Sequence, residues 1–477
     1  MYFLLACMAI SFFSCNSENS GQSASDSTST QLVASAPEYD GSLLKGKVID
    51  SVLCRKDNSQ SYALYLPSYY DQAKPFPCIF FFDAHARGAV PVRTYKDIAE
   101  RYGFVLVGSD NSKNGTQWQA TNEMVNTLMQ DVRERINIDQ KRLYTAGFSG
   151  GSRVAASVAI LDGGVTGVIG CAAGFPSIEQ GIQNKFDYFG IVGDFDFNET
   201  EMKQLDETLQ QSGFNHQLLT TGNIHGWASP VDFETALLWM QVYGMKEQLQ
   251  SKNDTVINVL KKDFDARIAA ARSSNDQIRE HELLAGIARV LDGLADASSY
   301  KKQDDELKAS TGFSNAAAMM AKLQPEEMSQ QHELQKEFAA QSEKWWAEKI
   351  EELNEKIKSA KTLQESQMNR RLLNYLGLVG YMYSDHALKT HDLANSEAYL
   401  QVFKMADPKN PDCSYLSAVY YMEKGDRQQA ITALNDAASL GYTEVSKLVT
   451  DPAFVSLRDD EVFNKVVNKV VENYTSK

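Results

Sequence analysis

Gly147-Phe148-Ser149-Gly150-Gly151 sets a serine among glycines, and it is the pattern in this chain best suited to hold a nucleophile. A serine hydroxyl reacts poorly at neutral pH, so a base must take its proton and a carboxylate must orient that base. Both follow in chain order. Tyr188 to Gly193 reads as a strand running into Gly193-Asp194-Phe195-Asp196, and beyond a further strand, Gln217 to Thr221, comes Gly222-Asn223-Ile224-His225-Gly226-Trp227. Of the seven histidines, His281, His332, His386 and His391 fall in the second half, His216 opens a strand and His85 precedes the serine. His225, on a loop between a strand and a helix at Val231 to Tyr243, is the candidate base. Asp194 and Asp196 compete for the acid. Asn198 with Glu201 makes a capping pair that starts a helix, which leaves Asp196 in the turn between strand and helix and makes it the preferred candidate.

Acyl transfer also needs donors for the developing oxyanion. The amide after the nucleophile, that of Gly150, is one. The second is placed at His85, with Ala86 close behind, in the loop Asp83-Ala84-His85-Ala86-Arg87-Gly88; Arg87 there could meet an anionic substrate or simply be a surface cation.

These residues require elements to hold them. Short apolar runs at Tyr62 to Leu66, Cys78 to Asp83, Phe104 to Ser109, Arg142 to Phe148 and Gly167 to Ala172, with the two strands above, alternate with helical patterns such as Met124, Val125, Leu128, Met129, Val132 and Ile136. Runs as continuous as Ile79-Phe80-Phe81-Phe82 suit a mostly parallel sheet covered on both faces. The expectation is α/β. A strand entering the glycine-flanked serine and a helix leaving it, with small residues at Ala155, Ala156 and Ala159, fit a nucleophile elbow. Over about residues 46 to 245, with the likeness carried by Gly147 to Arg153 and Gly193 to Asn198, the chain resembles the α/β-hydrolases of the feruloyl esterase and polyhydroxybutyrate depolymerase type. That resemblance implies a serine esterase with neither metal nor organic cofactor, acting on small-molecule or polysaccharide esters.

Beyond residue 245 the composition changes. Of 29 glycines only Gly286, Gly293, Gly312, Gly377, Gly380, Gly425 and Gly441 fall there, and Pro325, Pro408, Pro411 and Pro452 alone interrupt charged amphipathic runs, so this half is expected to be all helix. Trp346, Ile350, Leu353 and Ile357 follow a 4-3-4 spacing too short for a coiled coil and read as helix packing. Pro411 to Gly441 resembles a tetratricopeptide repeat, through Ala418, Tyr421, Gly425, Ala430, Leu434 and Ala437, and a looser copy carries Gly377, Tyr381, Ser396, Leu400 and Phe403. The expected division is 1–14 signal peptide, 15–44 flexible tether, 45–245 hydrolase domain, 246–366 helical region and 367–477 repeat-like domain. The helical half is expected to shape access to the site and to supply no catalytic group.

The start of the chain bears on its destination. Residues 2 to 13 form an apolar run too short to span a bilayer and suited to an export signal. Ser14-Cys15 behind it resembles the lipoprotein signal, which would make Cys15 the lipidated anchor of a cell-envelope protein; Cys7 and an ordinary cleaved signal are the alternatives. Cys54, Cys78, Cys171 and Cys413 show no metal-site spacing and read as small buried hydrophobes. With 47 Lys+Arg against 62 Asp+Glu over 477 residues, a net charge of −15, nucleic acid is a poor partner. Two other readings stand beside the esterase: a peptidase with the same triad, and a binding or scaffold lipoprotein whose helical half recognises a protein partner.

Overall fold

The computed structural model describes residues 41–161, 163–176, 182 and 184–475. The signal segment, Cys15 and most of the tether lie outside these. Eight strands, β1 (Val48–Leu53), β2 (Ser61–Tyr65), β3 (Phe76–Phe82), β4 (Val105–Ser109), β5 (Ile138–Phe148), β6 (Gly167–Cys171), β7 (Asp187–Gly193) and β8 (His216–Thr221), form one sheet. The order is β1-β2-β4-β3-β5-β6-β7-β8, with β1 and β2 antiparallel and β4, β3, β5, β6 and β7 parallel. This is an α/β-hydrolase sheet. β1 escaped the sequence reading because its edge position leaves much of it exposed, so VIDSVL carries no apolar run.

Helices α1 (Ala89–Tyr102), α2 (Trp118–Arg135), α3 (Gly150–Leu161), α4 (Glu199–Gln211) and α5 (Pro230–Lys246) connect or follow the strands. Alternate side chains of β3 serve opposite faces, as a pleated strand requires. Phe80 and Phe82 join Val125, Leu128, Val132, Ala155 and Ala159 from α2 and α3 in one buried cluster. Phe81 faces Tyr95 of α1, itself stacked on Phe233 of α5 at 3.9 Å between ring centroids. Cys54, Cys78 and Cys171 are buried free thiols in this half. Burial raises all three, Cys54 to about 11 and Cys171 to about 12, so they stay protonated, as small core residues should.

The remainder is helical: α6 (Asp254–Ser273), α7 (Gln277–Leu291), α8 (Ser298–Lys308), α9 (Thr311–Glu337), α10 (Glu343–Ser359), α11 (Leu363–Lys389), α12 (Leu393–Ala406), α13 (Pro411–Glu423), α14 (Arg427–Ser439), α15 (Val445–Thr450), a 3-10 turn (Pro452–Leu457) and α16 (Glu461–Thr475). Pro325 does not interrupt this half as expected; it lies inside the 27-residue α9. The boundary drawn at residues 366 and 367 falls within α11. Trp346, Ile350 and Leu353 are buried with Leu323 and Leu334 of α9 and Leu372 and Leu376 of α11, which is helix packing and not a coiled-coil seam. Ala418, Ala430, Leu434 and Ala437 are buried between α13 and α14, with Gly425 at a positive φ of 77° in the joining turn.

The chain forms two compact units whose boundary does not follow the glycine-poor transition. One runs to Ile191 and includes Leu205–Gln217 and Trp227–Lys252. The other combines Val192–Gln204 and Leu218–Gly226 with Asn253–Lys477. The turn after β7 and the loop after β8 thus belong with the helices.

Candidate active site

In the first unit, β5 delivers Phe148 and then Ser149, whose φ of 55° lies in the left-handed region that side-chain-bearing residues seldom adopt. That strained turn exposes a side chain between strand and helix. The neighbouring glycines have steric reasons. A Cβ on Gly151 would overlap the Phe82 carbonyl, and one on Gly150 would overlap the side-chain amide of Asn114. Gly150 opens α3, so its N–H is among those left without an intrahelical acceptor and carries the positive end of the helix dipole. The Ser149 N–H donates to the Cys171 carbonyl at 2.9 Å, tying the elbow to the end of β6.

The loop after β3 is organised by Asp83, which is fully buried. Its carboxylate accepts from Arg87 Nε and Nη2 at 2.9 and 3.0 Å, from Trp227 Nε1 at 2.7 Å and from the His85 amide at 2.8 Å. Burial pushes the carboxyl up, but the Arg87 guanidinium and these hydrogen bonds outweigh it and hold it below the usual range. Two expectations change. The His85 N–H already donates to Asp83, so the backbone donor placed at His85 is engaged within its own loop. Arg87 is not a lone surface cation; it is the bidentate partner of Asp83. Ala86, next along, has a φ of 60°. Asn114, whose amide donates to the Ala84 carbonyl at 2.8 Å, brings the loop after β4 against this one. Trp227 also packs on Phe148 with ring centroids 5.9 Å apart.

In the second unit, His225 Nδ1 lies 3.0 Å from both carboxylate oxygens of Asp196. A carboxylate only accepts, so Nδ1 carries the proton and Nε2 is the basic nitrogen. Asp196 is fully buried and its Oδ1 also accepts from the Asn198 amide at 2.9 Å. The Phe197 ring stacks on the imidazole at 4.3 Å. The two loops approach closely enough that a Cβ on Gly193 would overlap the Asn223 carbonyl. Asp194, the competing acid, points its carboxylate to Arg279 of α7 instead. Burial raises the Asp194 carboxyl, and the Arg279 guanidinium offsets part of that rise. His216 is buried, with Nδ1 2.8 Å from the Phe214 carbonyl.

Sequence reasoning missed Asp83, Trp227 and Asn114 in the first unit and Phe197 with its helical neighbours in the second. Only Trp227 carried a signal, an indole two residues after the candidate base.

No family model matches the sequence, and no curated protein matches it. Among solved structures, the chain is similar to an S-formylglutathione hydrolase from Staphylococcus aureus at 14% identity, over 38% of this chain and 90% of that one, with a TM-score of 0.34. A feruloyl esterase module from Clostridium thermocellum is 15% identical over 38% of this chain and 83% of its own, with a TM-score of 0.32. A ferulic acid esterase from Anaeromyces mucronatus is 16% identical over 38% and 84%, with a TM-score of 0.31.

Proposed function

We propose that this chain is a serine hydrolase of carboxylic esters, with Ser149 as nucleophile, His225 as general base and Asp196 as the acid that orients it. The observation that carries this reading is the His225–Asp196 pair, with Nδ1 set against both carboxylate oxygens and Nε2 left basic, in a chain whose strained elbow serine precedes them. Ser149 Oγ attacks the ester carbonyl as His225 Nε2 takes its proton. The tetrahedral oxyanion draws on the Gly150 N–H at the start of α3, while the amides of both His85 and Ala86 donate to Asp83 within their own loop. His225 then protonates the leaving alcohol, and a water molecule activated the same way hydrolyses the acyl-enzyme. The substrate in this reading is a small-molecule or polysaccharide-borne acyl ester.

A fluorophosphonate probe tests the reading without knowledge of the substrate. The wild-type protein should be labelled on Ser149, with labelling lost in Ser149→Ala and strongly slowed in His225→Ala; equal labelling of all three rejects it.

The proposed location is the cell envelope, through lipidation of Cys15, with α13 and α14 as a tetratricopeptide-type pair. Intact-mass analysis of membrane-extracted protein should give a chain beginning with lipidated Cys15. An unlipidated mature chain beginning elsewhere removes the anchor.

A further inference from the structure

Around Asp196, the six successive carbonyls of Gly193, Asp194, Phe195, Asp196, Phe197 and Asn198 each have a donor. Three of the donors are local amides: Asp196 to the Gly193 carbonyl, Glu199 to that of Asp196 and Met202 to that of Asn198, each at 3.0 Å. The other three come from the helices. Arg371 Nη1 donates to the Asp194 carbonyl at 3.0 Å, Asn374 Nδ2 to that of Phe195 at 2.7 Å, and Gln331 Nε2 to that of Phe197 at 3.2 Å. These bracket Asp196 on both sides. Arg371, Asn374 and Tyr375 follow the i, i+3, i+4 spacing of one face of α11, and Glu327 and Gln331 the i, i+4 spacing of α9.

The remaining contacts reinforce the same turn. The Arg371 guanidinium is bidentate to Glu327 at 2.7 and 2.6 Å, both side chains being buried, and its Nη2 lies 3.6 Å from Glu199. Replacing a buried pair of this kind by apolar residues is often neutral or stabilising, so the distinctive contribution of Arg371 is its third hydrogen bond, to the Asp194 carbonyl. Tyr375 meets the Phe197 ring edge-on at 6.4 Å, so that Phe197 lies between the helical core and the imidazole of His225.

We propose that Arg371, Asn374 and Gln331 are positioning residues through which α9 and α11 hold the Asp196 turn in register with His225. The helical half, on this view, supplies no reacting group and is still required for turnover. The proposal rests on the triad reading above, because it acts through Asp196. Its prediction is specific: loosening the turn misorients the imidazole, lowering turnover and leaving substrate binding intact.

The test is a double-mutant cycle in the full-length protein, with a small aryl ester as substrate. Asn374→Leu, Gln331→Leu and the paired Arg371→Met/Glu327→Met, which removes the donor without stranding a buried charge, are each made alone and together with Asp196→Asn. Each should lower kcat about ten- to a hundredfold, the range that a displacement of about 1 Å produces, with KM changed less than about twofold. In the Asp196→Asn background they should have no further effect. Should the paired variant fail to fold, Asn374→Leu and Gln331→Leu, which remove no charge, decide the question. Unchanged kcat in the folded variants overturns the proposal, as does an equal loss with and without Asp196. Full activity of Asp196→Asn alone overturns the triad reading and this proposal with it, an outcome separate from the other two.

Discussion

Replacing Asp83 by Asn tests whether the buried carboxylate holds the loop after β3 as argued. The substitution keeps the shape and removes the charge. Asp83 accepts four hydrogen bonds, two at each oxygen: the His85 amide and Arg87 Nε at Oδ1, Arg87 Nη2 and Trp227 Nε1 at Oδ2. An Asn side chain must turn its NH2 towards one of these pairs, so two donors lose their acceptor whichever way it rotates. Breaking a buried ion pair from one side costs about 3–5 kcal/mol. The Arg87 side chain is 20% exposed and can recover some hydration, which favours the lower end, about 3 kcal/mol. With a urea slope of about 3 kcal/mol per M, that loss lowers the unfolding midpoint by about 1 M. Paired urea titrations of wild type and Asp83→Asn, with the slope fitted freely, measure it. A loss below about 1 kcal/mol at unchanged slope would refute the reasoning, since it would mean that the four hydrogen bonds are replaceable by water.

Three further outcomes are expected. Gly151→Ala should destabilise severely, by more than about 3 kcal/mol, because its Cβ would meet the backbone carbonyl of Phe82, which cannot rotate away; a thermal melt close to wild type would show that β3 and α3 can separate. Burial, aided by the negative charge of Glu247, pushes the Asp187 carboxyl up to about 7. A folded-state value above the unfolded one, about 3.9, contributes stability that is complete below about pH 4 and lost as pH rises towards 7. Asp187→Asn should therefore melt higher than wild type at pH 8 and show a flatter dependence between pH 4 and 8; an unchanged slope would place the titration elsewhere. Asp194→Asn should lower kcat far less than Asp196→Asn, for which roughly 10³- to 10⁴-fold is expected, and the reverse ranking would transfer the acid role to Asp194.

The features legible in the amino-acid order were local ones. An apolar run such as Ile79 to Phe82 suits a strand covered on both faces, a serine among glycines between strand and helix fits a sharp turn, and a histidine between Gly222 and Gly226 reads as a loop residue. Chain order then put Ser149, an aspartate and His225 in sequence. The exposed edge strand β1 was illegible because it has no buried face to leave an apolar pattern. The capping pair favoured Asp196 but left Asp194 as an alternative, because two carboxylates two residues apart differ only in which way the turn directs them. Tertiary structure separates their contacts: Asp196 meets His225, and Asp194 meets Arg279, 85 residues away. The roles of Arg371, Asn374 and Gln331 were equally hidden. A polar side chain on a helix looks the same in sequence whether it faces water or a carbonyl, and its acceptors lie 134 to 179 residues earlier in the chain. Glycine content placed a boundary near residue 245 because it reports backbone geometry. The compact units divide differently, because buried carbonyls must find donors wherever the folded chain brings them.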